Sequence, residues 1–206
     1  MANSNSTKKC YTRKPNFLSL EELQALKEEI LESPYLGTSQ LSDRFVSTKG
    51  FSVVFKRSGI SQVEQNFPYF KPYLEKALMP VCNAFYLNPL VLEGNSCIEE
   101  HVDCSLSSYF MEWVTPRLVS VLYICVPNDL QGGQLILQED KSVWHVEPET
   151  NTLVHFLGWV LHSVTPVQTG HARMSLICEQ YNLPEEYLIK VPEFEIKSSS
   201  RQDLVE

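Results

Sequence analysis

The chain has 206 residues, 43% hydrophobic and 20% charged, a composition that suits one globular domain with one substantial core. Its 17 Lys and Arg against 25 Asp and Glu leave a net charge of -8, and no basic run interrupts that balance, so neither nucleic acid nor an anionic membrane is an expected partner. The start, MANSNSTKKCYTRKPNF, lacks the apolar centre of a secretory signal, and no apolar run is long enough to span a bilayer.

Residues 1–16 read as a flexible N-terminus. LSLEELQALKEEILESP then reads as a helix: Ser19 is the N-cap, Glu22 completes a capping box, and Leu20, Leu23, Leu26 and Ile30 recur at helical spacing until Pro34 stops it. GFSVVFK, residues 50–56, reads as a strand. The stretch 61–87 reads as helix broken or kinked by its three prolines. From there β-rich runs follow one another: PLVLEG, SCIEEHVD, RLVSVLYICV, GGQLILQ, SVWHVEP, NTLVHFL, LHSVTPV and ARMSLICEQY. Prolines, Asn-Asp, Gly-Gly and Thr-Gly separate them, the signature of a sandwich or barrel. The expected fold is mainly β (α+β): a jelly roll with its core at about 88–183, backed by an N-terminal helical layer. A single domain over 17–190 and a flexible tail over 191–206 complete the layout.

Six cysteines, at 10, 82, 97, 104, 125 and 178, form no CxxC pair and follow no zinc-ribbon spacing. Reduced thiols in an intracellular, cytoplasmic protein are the expectation.

The chemistry concentrates around EEHVDCS. On a strand, His101 and Asp103 are i and i+2 and share a face. An isolated His-x-Asp is more often a solvated surface pair, so the context decides. His162, in GWVLHSVTPV, is the candidate third ligand. Two imidazoles and a carboxylate on one side of a metal leave the other side open, which suits non-haem Fe(II); zinc accepts the same donors, so donor type alone does not fix the metal. Eleven positions after His162 comes Arg173, with Ser175 on the same face. A guanidinium fork and a hydroxyl make a clamp for a carboxylate.

His101-x-Asp103, distal His162, then Arg173-x-Ser175 resembles the 2-oxoglutarate- and Fe(II)-dependent dioxygenases, in their prolyl-4-hydroxylase-like branch. The likeness runs from about Leu90 to Tyr181 and takes in VSVLYICVPNDLQGGQLIL and VEPETNTLVHFLGWVLHSVTPVQTGHARMSL. It implies a double-stranded β-helix (jelly roll, cupin-like) with the metal at its open end. It implies that His101, Asp103 and His162 are the catalytic iron ligands. Arg173, assisted by Ser175, is then expected to bind the far carboxylate of 2-oxoglutarate, with Tyr123 reaching that carboxylate or lining its pocket. O₂ is the further cosubstrate and ascorbate the expected reductant. One departure stands out. Enzymes of this branch often carry a tyrosine about ten residues before the first His, where this chain has Val91; Asn95 is the candidate substitute. Retention of Asp103 favours hydroxylation over halogenation.

The implied activity is oxidative decarboxylation of 2-oxoglutarate coupled to hydroxylation of an unactivated C–H bond. A small metabolite, such as an amino acid or derivative, ranks first as substrate. A protein or peptide side chain ranks second, and a non-catalytic binding or sensing module third. CSLSSYFMEWVTP, residues 104–116, is the expected pocket rim, with Tyr109, Trp113 and Glu112 as candidate substrate contacts. Residues 45–59 are a candidate second wall. His145, His155 and His171 have no matching carboxylate and read as ordinary histidines. Nothing in the sequence sets the oligomeric state.

Overall fold

The computed structural model describes residues 9–38 and 45–199. In chain order, β1 (Tyr11–Lys14), α1 (Leu20–Glu32), β2 (Gly37–Thr38), β3 (Phe45–Gly50) and β4 (Ser52–Lys56) precede α2 (Ile60–Asn66) and α3 (Lys71–Ala77). Then come β5 (Ala84–His101), β6 (Leu118–Cys125), β7 (Gln131–Gly132), β8 (Leu135–Glu139) and β9 (Ser142–Val146). They are followed by β10 (Thr152–Leu157), β11 (Leu161–Val164), β12 (Val167–Gln168), β13 (Arg173–Tyr181), α4 (Glu185–Leu188) and β14 (Phe194–Lys197). Among the described residues no helix is long and apolar enough to cross a membrane.

The strands pair antiparallel in the order β1-β10-β6-β13-β5-β11-β8-β9, with β3 and β4 also on β5 and β14 on β4. β5 makes this a curled, jelly-roll sheet rather than a flat one. Up to Leu92 it lies against β13, and near its end Ile98 and His101 lie opposite Val164 and His162 of β11. One strand therefore serves both halves of the fold. The sequence reading split it in two at Gly94-Asn95. The backbone instead passes through this point as an irregular stretch, with Asn95 at φ 71, a left-handed conformation that Asn tolerates better than most residues.

Alternation along the strands sorts two faces. On β13, Met174, Leu176 and Cys178 face the helices while Arg173, Ser175, Ile177 and Glu179 face the interior of the roll. On β6, Leu122 and Ile124 face the helices, and Val119, Val121 and Tyr123 the interior. The helical layer forms as its sequence dictates. Ser19 Oγ accepts from Glu22 N–H at 3.1 Å, the Glu22 carboxylate accepts from Ser19 N–H at 2.8 Å, and Leu23, Leu26 and Ile30 are buried against the sheet. Phe51, Phe67 and Phe70 stack beneath α2 and α3, with ring centroids 5.5–6.4 Å apart. Burial on this scale is what a side chain loses on truncation, about 3–5 kcal/mol for a Phe→Ala change.

Four further expectations need correction. Tyr11–Lys14, inside the stretch read as flexible, pairs residue for residue with β10, and Phe194–Lys197, inside the stretch read as a tail, pairs with β4. Both are short edge strands with charged residues, which blunt an edge and look like loop in sequence. GFSVVFK holds a break at Phe51 between β3 and β4. Helix in the 61–87 stretch ends at Ala77, and a strand begins at Ala84. The loose start and tail otherwise expected at 1–8 and 200–206 lie outside the described residues. The Gly-Gly turn is as read: Gly132 and Gly133 have φ 69 and 68, and a Cβ on Gly132 would sit 2.1 Å from the Pro166 carbonyl oxygen.

Candidate active site

The interior of the roll holds a cavity of about 910 Å³. His101, at the end of β5, lies directly opposite His162 on β11 in the antiparallel register, so both rings project to the same side, with centroids 4.3 Å apart. Asp103 joins them differently from the expected i, i+2 strand geometry. The strand stops at His101, and Asp103 sits in the loop beyond it. Its oxygens lie 3.3 Å from His101 Nε2 and 3.5 Å from His162 Nε2.

The two rings are oriented by the backbone. His101 Nδ1 is 2.7 Å from the Glu99 carbonyl oxygen, and His162 Nδ1 is 3.0 Å from that of Val160. A carbonyl only accepts, so each Nδ1 carries a proton and each Nε2 faces Asp103, where it can present a lone pair to a metal once it is unprotonated. The ligand atoms of the three residues all lie within 4.8 Å of one another, and all three side chains are buried. Burial pushes the Asp103 carboxyl up, but the positive charge that His162 and His101 carry when protonated, with a hydrogen bond from His101, holds it below the usual carboxylate range. Burial lowers His162 against the opposing pull of Asp103, which keeps that imidazole neutral. Asp103 Oδ2 has no hydrogen-bond partner in the protein. Two imidazoles with Nε2 turned toward a common point, an ionised carboxylate and an orphaned buried oxygen make a donor set suited to a divalent cation.

Arg173, on the same cavity lining, is only 2% exposed, yet its Nε and Nη1 have no hydrogen-bond partner. Its guanidinium lies 5.1 Å from the centroid of the Tyr123 ring. Ser175 stands opposite Tyr123 across the β13–β6 pairing, and the Tyr123 hydroxyl is also unpartnered. Burial lowers Arg173 and raises Tyr123, and each opposes the other's shift. A buried guanidinium without an acceptor is costly, and a bound carboxylate is the group that would satisfy both it and the phenol. Around these polar groups the wall is apolar, with Leu90, Leu92, Val121, Leu135 and Phe156 lining the cavity.

The candidate substrate contacts fare unevenly. Trp113 lines the cavity while 62% exposed. The hydroxyl of Tyr109 donates to Glu195, and Lys197 Nζ lies 4.2 Å over its ring, so Tyr109 ties the rim to β14. Glu112 accepts from the Tyr187 hydroxyl at the surface. Asn95 is exposed on the bend of β5, and the cavity lining does not include it. Val91 is buried in the helix–sheet core, on the face of β5 turned away from the cavity, so a tyrosine there would not reach a ligand. Leu90 and Leu92 face the pocket instead, and the phenols on its lining are those of Tyr86 and Tyr123. In the 45–59 wall, Gly50, Phe51 and Ser52 line the cavity, whereas Lys49 pairs with Glu93 and Arg57 donates to the backbone oxygens of Cys82 and Met79. His155 is hydrogen-bonded to Ser120 on the far side of the sheet.

Sequence reasoning missed four further polar residues on the cavity lining: Ser52, Tyr86, Asn88 and Glu179. The Ser52 hydroxyl and the Tyr86 hydroxyl share a hydrogen bond at 2.5 Å, and Asn88 Nδ2 donates to Ser52 Oγ at 3.3 Å. Glu179 was findable. It lies on the same face of β13 as Arg173 and Ser175, and a carboxyl there breaks an apolar strand. Burial, reinforced by the charge of Asp103, pushes its carboxyl up to about 8.

Comparison with known proteins agrees with this geometry. The model of the 2OG-Fe(II) oxygenase superfamily matches residues 87–178. A PKHD-type hydroxylase of Shewanella sp. (strain MR-4) is 26% identical over 163 residues, covering 76% of this chain and 71% of the relative. Among solved structures, a Pseudomonas putida prolyl-4-hydroxylase superposes with TM-score 0.58 at 18% identity, covering 84% of this chain and 93% of that one. A Trichoplax adhaerens prolyl hydroxylase, solved with a peptide fragment of hypoxia inducible factor, superposes with TM-score 0.60 at 15% identity, covering 87% and 86%. At these identities the structural likenesses speak for the fold.

Proposed function

We infer the details of the activity from one premise: the chain belongs to the 2OG-Fe(II) oxygenase superfamily, prolyl-4-hydroxylase-like, and is a dioxygenase of the hydroxylase type. The family implies Fe(II), 2-oxoglutarate and O₂. In our reading His101 Nε2, His162 Nε2 and the Asp103 carboxylate hold the iron, Arg173 and Ser175 bind the far carboxylate of 2-oxoglutarate, and the Tyr123 hydroxyl donates to it. The observation that carries this is the convergence of three ligand atoms within 4.8 Å on a cavity whose lining also holds a buried Arg173 with Nε and Nη1 unpartnered.

Once bound, Fe(II) and 2-oxoglutarate supply the oxidising chemistry: 2-oxoglutarate is decarboxylated to succinate and CO₂ as O₂ is consumed, and one oxygen atom enters a substrate C–H bond. The residues do the rest. The carbonyls of Glu99 and Val160 keep both imidazoles in the metal-binding tautomer. The apolar lining of Leu90, Leu92, Val121 and Phe156 excludes water from the reacting centre. The rim and β14 hold the substrate against it.

We propose a small polar metabolite, such as an amino acid or derivative, as the substrate. The cavity, at about 910 Å³, is of the size typical of small-molecule sites, and its lining includes the hydroxyls of Ser52 and Tyr86 and the amide of Asn88. A peptide is the second reading, favoured by Trp113 on the cavity lining and a fully exposed Met111 beside it. Membership of an enzyme family sets the non-catalytic module aside. Among the described residues no cysteine is in a disulfide, which supports a reducing, cytoplasmic setting; ascorbate is the reductant of this reading.

The test is succinate formation from 2-oxoglutarate with Fe(II), ascorbate and O₂, beside anaerobic binding of Fe(II). Asp103→Ala should weaken Fe(II) binding by more than ~100-fold, beyond the 10- to 100-fold typical of groups that only support a ligand, and abolish succinate release. Fe(II) affinity unchanged in that variant would sink the ligand assignment.

A further inference from the structure

We propose that Glu179 is a positioning residue of the metal site: anchored on β13, its carboxyl fixes the turn that carries Asp103. The inference rests on the reading of Asp103 as an iron ligand. Asp103 does not fix itself. Its Oδ2 has no hydrogen-bond partner, and its contacts are the two imidazoles that would share the metal with it. Its place must come from the backbone on either side. Upstream that is the end of β5. Downstream, two residues on, a short 3₁₀ helix begins, Ser105–Tyr109.

The first N–H groups of a helix need acceptors from outside it. Here the N-cap residue is Cys104, which makes no side-chain cap bond. β13 supplies what Cys104 cannot. Glu179 Oε2 accepts from Ser105 N–H at 3.1 Å, and Oε1 accepts from the Ser105 hydroxyl. The next N–H, of Leu106, donates to the Tyr181 hydroxyl at 3.4 Å, and that hydroxyl donates to Glu179. So a carboxyl cap is delivered to this short helix from a strand 74 residues away in sequence.

The anchor is stiff. Glu179 is 2% exposed and sits in a strand hydrogen-bonded on both sides, opposite Tyr86 of β5 and Val119 of β6. The link to the ligand is short, since Cα atoms two residues apart can be separated by no more than about 7 Å. Both Glu179 oxygens are already engaged by the chain's own donors, so they serve the turn rather than a ligand in the cavity. Arg173 lies six residues along the same face of β13. One strand thus sets the cosubstrate clamp at one end and the placement of the carboxylate ligand at the other.

The experiment compares wild type, Glu179→Gln and Ser105→Ala for Fe(II) affinity by anaerobic calorimetry, the KM for 2-oxoglutarate at saturating Fe(II), and Tm. The amide nitrogen of Gln cannot accept from Ser105 or Tyr181, so E179Q should weaken Fe(II) binding by roughly 10- to 100-fold. Its KM for 2-oxoglutarate should stay within about twofold, because Arg173 is untouched. S105A, which keeps the backbone contact, should fall between E179Q and wild type. A folded E179Q with unchanged Fe(II) affinity overturns the proposal, as does a KM for 2-oxoglutarate that moves as far as the metal affinity does. If E179Q does not fold, S105A decides in the same way: weaker Fe(II) binding supports the proposal and unchanged binding overturns it. If wild type itself binds no Fe(II), the iron reading fails and takes this inference with it. Wild-type binding with unchanged variants sinks the inference alone.

Discussion

Arg173 and Glu179 share a strand, a face and a degree of burial, each being 2% exposed, yet they are provided for in opposite ways. Glu179 takes hydrogen bonds from the Ser105 N–H, the Ser105 hydroxyl and the Tyr181 hydroxyl. Arg173 leaves two guanidinium nitrogens with no partner over the face of Tyr123. A folded chain rarely tolerates a buried charge that nothing satisfies. The saturated group therefore reads as part of the architecture and the unsatisfied one as a place kept for a ligand. Burial alone would have ranked the two alike. The inventory of partners separates them.

The largest effect should come from Arg173→Met. A buried, hydrogen-bonded charge pair that loses one partner costs about 2–5 kcal/mol, so the KM for 2-oxoglutarate should rise by roughly 30-fold to several thousand-fold. Ligand-free stability should move the other way. With two nitrogens unpartnered, R173M removes an uncompensated buried cation, and the Tm of the ligand-free protein should hold or rise. Thermal denaturation with and without 2-oxoglutarate and Fe(II) checks both halves. A ligand-free Tm that drops sharply would mean that Arg173 belongs to the architecture after all, and the contrast with Glu179 would collapse.

Tyr123→Phe should act in the same sense and more weakly. Its hydroxyl has no partner in the ligand-free protein, so the variant should fold with unchanged Tm. One lost hydrogen bond of about 0.5–1.5 kcal/mol corresponds to a 2- to 10-fold rise in the KM for 2-oxoglutarate. An unchanged KM would reduce Tyr123 to a ring beneath the guanidinium.

The sequence carried the polar residues of the site better than it carried their surroundings. His101, Asp103, His162, Arg173 and Ser175 stood out because imidazole, carboxylate and guanidinium are conspicuous in apolar strands. The helix cap at Ser19 and Glu22 was legible because a cap is local. What failed was whatever depends on register or on distant partners. Val91 was weighed as a pocket position although β5 turns it toward the helices, and nothing local announces which face of a strand is inside. Tyr109 and Glu112 looked like substrate contacts, but their partners Glu195 and Tyr187 come from the last part of the chain. β1 and β14 were read as loose ends because short, charged edge strands lack alternation. Glu179 went unread although the i, i+2 rule that paired Arg173 with Ser175 reaches it two steps further along.

His155 extends the comparison to an intermediate case, with the smallest expected effect. It is partly buried on β10, and its Nδ1 lies 2.9 Å from Ser120 Oγ. Ser120 Oγ already accepts from Gln180 Nε2 at 2.8 Å, so the serine proton is free to point at the imidazole and Nδ1 acts as acceptor. Burial, with Lys14 nearby, lowers the His155 pKa below the usual 6.5. In the unfolded chain the imidazole titrates at its ordinary value, so below that pH the unfolded state binds more protons. The stability tied to a neutral His155 is therefore present above about pH 6.5 and lost as pH falls through the lower folded-state value. His155→Asn removes the titration. The fall in Tm between about pH 7.5 and pH 5.5 should be steeper for wild type than for H155N, with both measured free of metal and 2-oxoglutarate. Equal slopes would mean that the one hydroxyl beside His155 accommodates its charged form, which would place His155 with Glu179 among the groups the fold fully provides for.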